Sequence, residues 1–186
     1  MPVKEIIKDA KYRMEKTVEN LVNELTRIRT GRANPSLLDN VKVDYYGQLV
    51  PLNQAANISV PEPRLIAIQP WEKNMLAEIE RAILKADLGL NPSNDGTMIR
   101  IPIPQLSEER RKDLVKLVHK FGEDGKIAIR NIRRDANDHL KKMEKNHQIS
   151  EDELSVELDT IQDTTDEYIK NINEILEKKE KEVLEV

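Results

Sequence analysis

The sequence has no cysteine. That excludes disulfides, a thiol nucleophile, iron–sulfur clusters and thiolate zinc sites. Aromatics are scarce: one Trp, one Phe and four Tyr make up 3% of 186 residues. At this length a chain buries roughly 70% of its unfolded surface. Six rings cannot dominate such a core, so aliphatic side chains must fill it. Glycine is also sparse, with six residues, while charged residues reach 34%. This is the balance of a chain of long helices. No apolar run approaches the roughly 18 residues of a membrane span. The start, Met1-Pro2-Val3-Lys4-Glu5, lacks a signal peptide's apolar centre and carries an acid early, unlike a transit peptide. A cytoplasmic protein with no membrane partner is the expectation.

Charge is present in both signs, 30 Lys and Arg against 34 Asp and Glu, but unevenly placed. Met1 to Thr30 carries +2, Gly31 to Gln105 carries −1, Leu106 to Lys145 carries +4 and Asn146 to Val186 carries −9. The bland total of −4 therefore hides a basic segment followed by an acidic one.

Proline and glycine divide the chain. Eight of nine prolines and four of six glycines fall between Gly31 and Gln105. Both residues are thinned from helix interiors, one by its missing donor and fixed φ, the other by its backbone freedom. Residues 31–105 therefore read as a small α+β domain inserted into a helical domain formed by 1–30 and 106–186. The fold class is α+β, mainly α. Thr30-Gly31-Arg32-Ala33-Asn34-Pro35 and Pro102-Ile103-Pro104-Gln105-Leu106 are the two crossings. Gly at one permits rotation and alternate prolines stiffen the other, which predicts a hinged, elongated molecule.

The helical flanks read as a three-helix bundle. Met14, Val18, Leu21, Leu25 and Ile28 form a stripe at 4-3-4-3 spacing that ends at Thr30-Gly31. A second helix starts at the N-cap Ser107 and runs to Lys145, about 58 Å at 1.5 Å per residue. Its stripe reads Leu114, Val118, Phe121, Gly125, Ala128, Ile132, Ala136, His139 and Met143, with Gly122 and Gly125 as places for a bend. A third starts at Ser150, where Glu153 completes a capping box. Its stripe is Leu154, Leu158, Ile161, Thr165, Tyr168, Ile172 and Ile175. The short link before it predicts antiparallel packing.

In the insert, strands are expected over Val41–Tyr46, Leu49–Val50, Asn57–Val60, Leu65–Gln69 and Met98–Ile101, with one helix over Glu72–Asp87. Tyr45 and Tyr46 are expected on opposite sides of their strand, which leaves no base-stacking platform.

Catalytic and metal readings find no support. His119, His139 and His147 lack zinc-binding spacing. The first and last read as solvent-facing, and His139 as packing near the core edge. Gly125-Lys126-Ile127 is not a phosphate-binding loop, and no Gly-x-Ser-x-Gly elbow occurs. The best signal is on the second helix. Lys126, Arg130, Arg133, Asn137 and Lys141 span an arc of roughly 80°, with Arg134 at its edge, centred roughly 135° from the apolar stripe. An outward row of Arg suits phosphate, because each guanidinium stays charged and donates two parallel hydrogen bonds. The same row is also a solvated face paired with Asp135, Asp138 or the acidic third helix. Arg110, Arg111 and Lys112 lie in the first turn, where the helix dipole disfavours cations. Arg27, Arg29 and Arg32 cluster at the first helix end. A nucleic-acid-binding coiled coil and a helical scaffold that binds no nucleic acid both remain compatible with these residues.

Five motifs in order narrow the choice: Arg27-Ile28-Arg29-Thr30-Gly31-Arg32-Ala33-Asn34-Pro35, Val43-Asp44-Tyr45-Tyr46-Gly47, Asp87-Leu88-Gly89-Leu90-Asn91-Pro92, Glu108-Glu109-Arg110-Arg111-Lys112-Asp113-Leu114, and Ala128-Ile129-Arg130-Asn131-Ile132-Arg133-Arg134-Asp135-Ala136-Asn137. In this order, over essentially the whole chain, the sequence resembles the bacterial ribosome recycling factor family. Ala55 departs from the resemblance, since the family usually carries a larger apolar residue there. The resemblance implies an L-shaped, tRNA-like molecule with a two-strand hinge at Thr30, Gly31, Arg32, Pro102, Pro104 and Gln105. It implies a monomeric, non-enzymatic translation factor that binds the post-termination ribosome and, with elongation factor G, separates the subunits. The partner, not this chain, would use GTP, and no cofactor is implied. Arg130, Arg133, Arg134, Arg29, Arg32, Arg110, Arg111, Lys112 and Lys126 would meet large-subunit ribosomal RNA. Arg130 and Arg133 carry most of that expectation, while Arg134 either binds RNA or pairs within the bundle.

Overall fold

A computed structural model describes residues 2–185. The chain divides into two compact units, residues 1–29 with 108–186, and Thr30–Ser107. Thr30, Leu106 and Ser107 thus fall in the second unit.

The first unit is three helices: α1 (Val3–Thr26), α3 (Glu108–Lys145) and α4 (Glu151–Leu184). α1 stops four residues before the expected Thr30, with Arg27 as its C-cap. Ile28 still packs on the bundle core from outside the helix. α3 and α4 are antiparallel, joined by a tight turn in which His147 takes φ 56°. α4 starts with the expected capping box: Ser150 Oγ accepts from Glu153 N at 3.1 Å, and Glu153 Oε2 accepts from Ser150 N at 2.8 Å. Two helix-end donors are thereby satisfied. α1 runs antiparallel to α3, since Arg13 meets Asp135 and Leu21 lies beside Gly125. The core is aliphatic: Met14, Val118, Ile129, Leu140, Ile161 and Ile172 are fully buried. Thr165 is buried among them, its hydroxyl donating to the Ile161 carbonyl at 2.7 Å.

The stripes differ from the expected ones in a systematic way. On α3 the buried residues are Leu114, Val118, Gly122, Ile129, Ile132, Ala136 and Leu140. Ala128 is only half-buried and His139 is exposed, which corrects its placement at the core edge. On α4 burial moves to Leu176 and Val183. A strict seven-residue repeat drifts by about 20° per heptad against a helix of 3.6 residues per turn. On α4, whose expected stripe is a strict heptad, the buried line follows the helix and leaves that stripe. On α3, whose expected stripe already advances by about 3.6 residues per step, the buried line is turned by a constant angle toward Gly122, Ile129 and Leu140. Nor does α3 break at its glycines. A Cβ on Gly122 would lie 2.2 Å from Leu176 Cδ1, so this glycine lets α4 come close.

The second unit holds two sheets and one helix. β1 (Lys42–Tyr45) and β2 (Gln48–Pro51) form a hairpin. β3 (Ala56–Glu62), β4 (Leu65–Pro70), β5 (Ser93–Asn94) and β6 (Ile99–Pro102) form a four-stranded sheet in the order β3-β4-β6-β5. Its pairings are antiparallel throughout. Ile66, Ile68, Ile99 and Ile101 alternate inward and are fully buried against Ile79 and Ile83 of α2 (Leu76–Lys85). The segment expected as helix from Glu72 begins as a 3-10 turn over Lys73–Met75, and α2 follows it. Ala55 is fully buried, so the departure at this position is a core position.

Tyr46 sits at the hairpin turn with φ 51°. That left-handed residue breaks strand alternation, and the two tyrosines end on one side. Both hydroxyls donate to Glu72, at 2.7 Å from Tyr45 and 2.5 Å from Tyr46. Their rings meet edge to face at 4.9 Å. This corrects the expectation of opposite faces. The bond from Tyr46, then that from Tyr45, holds the Glu72 carboxyl below its ordinary range.

Candidate nucleic-acid interface

The two sides of α3 treat charge differently. On the α1 side Asp135 accepts from Arg13 at 2.5 Å, so both charges are matched. That hydrogen bond holds the Asp135 carboxyl below its usual range and pushes the guanidinium up. On the α4 side Arg133 donates from Nη1 to Gln162 Oε1 at 3.1 Å. Gln162 in turn donates from Nε2 to Asp166 Oδ1 at 2.8 Å. The guanidinium is held by a neutral amide and its charge is not cancelled.

The expected outward row sits on a flank. Lys126, Arg130, Arg133 and Asn137 are half-buried. Lys126 retains 16% side-chain exposure and pairs with Glu123 at 3.1 Å. With Gly122, Ile129 and Leu140 in the buried line, the row lies roughly 100° from the core centre instead of 135°. Arg134, expected at the edge of that arc, is exposed and points most directly away from the core. Arg130 and Arg134 make no ion pair among the described residues. Asn137 Oδ1 is buried and has no hydrogen-bond partner among them. Arg130, Arg133 and Arg134 therefore form one continuous sector running from the α4 flank of α3 to its outermost line, one guanidinium anchored and two open.

At the end of the bundle where α3 begins, Arg110 and Lys112 are exposed and Arg111 is half-buried. Lys112 pairs with Glu108 at 3.2 Å, across the turn. Arg29 is exposed at the same end, because α1 and α3 are antiparallel. Arg32 is exposed in the second unit. In that unit Gly31 takes φ +72°, and a Cβ there would meet Leu106 at 3.0 Å. Thr30 is half-buried and Pro104 and Gln105 are exposed. Pro102 closes β6, paired with Leu65.

The opposite sign lines the α1–α4 side. An open groove of about 540 Å³ is lined by Glu15, Val18, Glu19, Val22, Glu167 and Tyr168, among others. Burial, then Glu15 and Glu167, pushes the Tyr168 hydroxyl up. This acidic groove and the arginines of α3 therefore lie on different sides of one bundle. Among the described residues no cluster of three His, Asp or Glu has metal-binding geometry, and no helix is long and apolar enough to cross a membrane.

What sequence reasoning missed is Gln162. Its position on α4 opposite Arg133 follows from the antiparallel register, which the capping box at Ser150 could have indexed.

Comparison with known proteins gives the family. The family described as "Ribosome recycling factor" matches residues 21–184. The ribosome-recycling factor of a Geobacillus species is 59% identical over 184 residues, covering 99% of this chain and 100% of the relative. That of Bacillus subtilis is 55% identical over 183 residues, covering 98% and 99%. A solution structure of the ribosome recycling factor superposes with TM-score 0.78 at 43% identity, covering 100% and 99%. The Thermus thermophilus factor, placed with Escherichia coli elongation factor G on the E. coli post-termination complex, gives 0.66 at 50% identity, covering 99% and 100%. By sequence over nearly its full length and by fold, this chain belongs to the ribosome recycling factor family.

Proposed function

We propose that this chain binds the bacterial post-termination ribosome and, with elongation factor G, splits it into subunits. The observation that carries the reading is the sector of Arg130, Arg133 and Arg134 on α3, whose charge no carboxylate pairs off among the described residues. Phosphate contacts position a protein on RNA without reading sequence, and the scarcity of aromatics suits that mode better than base stacking. Large-subunit ribosomal RNA is the proposed ligand of this sector. Arg29, Arg110, Arg111 and Lys112 of the same unit extend it, Lys126 adds charge at its half-buried edge, and Arg32 of the second unit is a further proposed RNA contact.

The chain acts as a monomeric, non-catalytic factor in the cytoplasm. GTP is bound and hydrolysed by the elongation factor, and this chain needs no cofactor. Its contribution is rigid wedging by the bundle together with movement at Thr30, Gly31, Arg32, Pro102, Pro104 and Gln105. Gly31 suits a hinge position, because its positive φ strains any other residue. The test is breakdown of post-termination complexes with and without elongation factor G and GTP. Splitting only with all components supports the reading. Binding to naked RNA with no ribosome preference, or no binding at all, overturns it.

A further inference from the structure

We infer that Gln162 of α4 is a positioning residue for Arg133, setting the guanidinium for phosphate while leaving its charge uncancelled. This rests on the reading of Arg133 as an RNA contact. Three observations carry it. Arg133 Nη1 donates to Gln162 Oε1 at 3.1 Å in the half-buried α3–α4 seam. Asp166 accepts from Gln162 Nε2 at 2.8 Å, which fixes the amide with its oxygen toward Arg133. The α1 side of the same helix solves the same problem with a carboxylate, Asp135, which cancels Arg13.

The chemistry explains the choice of an amide. A free Arg side chain loses several rotatable bonds on docking, and that entropy weakens binding. Holding one edge of the guanidinium in advance removes part of the loss. A carboxylate would hold it more tightly, but it would neutralise the charge and compete with phosphate for the same donors. A neutral acceptor fixes geometry alone. α4 belongs to the acidic segment of the chain, so placing Gln at 162 and the carboxylate one turn further on, at Asp166, keeps the negative group one hydrogen bond removed.

The test uses the full chain, labelled and titrated with vacant bacterial ribosomes over a series of potassium chloride concentrations at fixed magnesium. Four variants are compared with the parent: Arg133→Ala, Gln162→Met, Gln162→Glu and Asp166→Ala. Gln162→Met keeps the shape and removes the acceptor. It is expected to weaken binding about three- to tenfold with the salt slope unchanged, because the charge survives. Asp166→Ala frees the amide to turn and should weaken binding in the same sense, by less. Gln162→Glu pairs off Arg133 and should lower the slope by roughly 0.7 to 0.9, matching Arg133→Ala. A merely structural role for Gln162 would move the melting temperature and leave the slope of Gln162→Glu at the parent value, and that result overturns the inference. If Arg133→Ala lowers affinity and slope while both Gln162 variants bind like the parent, the inference fails and the role of Arg133 stands. If Arg133→Ala itself changes neither, both fall together.

Discussion

Replacing either α3 glycine by alanine gives two changes of identical chemistry with opposite expected signs. Alanine is favoured over glycine in a helix interior by about 1 kcal/mol. At Gly125 nothing opposes that gain, because the nearest atoms to a new Cβ are Ile172 Cδ1 and Leu21 Cδ2, both at 3.6 Å, an ordinary contact distance. Gly125→Ala should therefore stabilise the bundle by about 0.5–1 kcal/mol. At Gly122 the new methyl would lie 2.2 Å from Leu176 Cδ1, 2.7 Å from Cδ2 and 3.0 Å from Cγ. Two atoms of one buried side chain are overlapped and a third is crowded, so moving a single methyl does not clear it. Leu176 must change rotamer or α4 must move away. Overpacking costs about 1–3 kcal/mol, and an overlap this deep with a buried side chain falls in the upper part of that range, about 2–3 kcal/mol. Set against the helical gain, Gly122→Ala should destabilise by about 1–2 kcal/mol.

The assay is urea unfolding of the full chain followed by far-ultraviolet circular dichroism, which the three bundle helices dominate. A third variant separates clash from any other cause. Leu176→Ala alone opens a cavity and should cost about 2–4 kcal/mol. Combined with Gly122→Ala the cost should fall short of the sum by more than about 0.5 kcal/mol, since the new methyl no longer meets anything. Gly122→Ala as stable as the parent, or strict additivity in the double variant, would refute the claim that this glycine exists to admit Leu176.

Further outcomes follow from the same geometry. Arg134→Ala should leave the melting temperature within about 2 °C and flatten the salt dependence of ribosome binding by roughly 0.7 to 0.9, measured by titration at several salt concentrations. Ser150→Ala removes an acceptor from the α4 capping box and should cost about 1 kcal/mol, read as a shift in the urea midpoint. The Asp95 carboxyl is held at about 2, first by the N–H of Met98, then by the N–H and hydroxyl of Thr97. A depressed folded-state pKa stabilises above the unfolded value of about 3.9 and loses that contribution as pH falls through the folded one. Asp95→Asn should thus differ from the parent by a constant amount above about pH 4, with the gap closing toward pH 2 in acid-unfolding curves.

The division into helical and mixed parts was legible because proline and glycine are local constraints that act wherever they occur. The capping box at Ser150 was legible for the same reason: both partners lie within four residues. The ends were less so. α1 stops at Thr26 although the apolar spacing continues through Ile28, because Ile28 packs on the core without being helical. The tyrosine pair was misread because alternation assumes extended backbone, and the φ of 51° at Tyr46 is set by the hairpin turn.

The candidate site shows how a small periodic error becomes a functional one. Choosing Ala128 and His139 in place of Ile129 and Leu140 shifts each position by one residue, or about 100° of helix. Averaged over the stripe, the core centre turns by roughly 40°. That turn moves Lys126, Arg130 and Arg133 from an outward row onto the α3–α4 flank, while Arg134, roughly 160° from either centre, stays outermost. The two kinds of arginine then have different tasks. A half-buried guanidinium can be held by a neighbour, as Arg133 is by Gln162, and so contributes geometry. An exposed one, such as Arg134, contributes field and salt sensitivity but little orientation. A surface that docks on a rigid polyanion needs both. The flank of a helix, where a side chain has a neighbour on one side and solvent on the other, is where the first kind has to be.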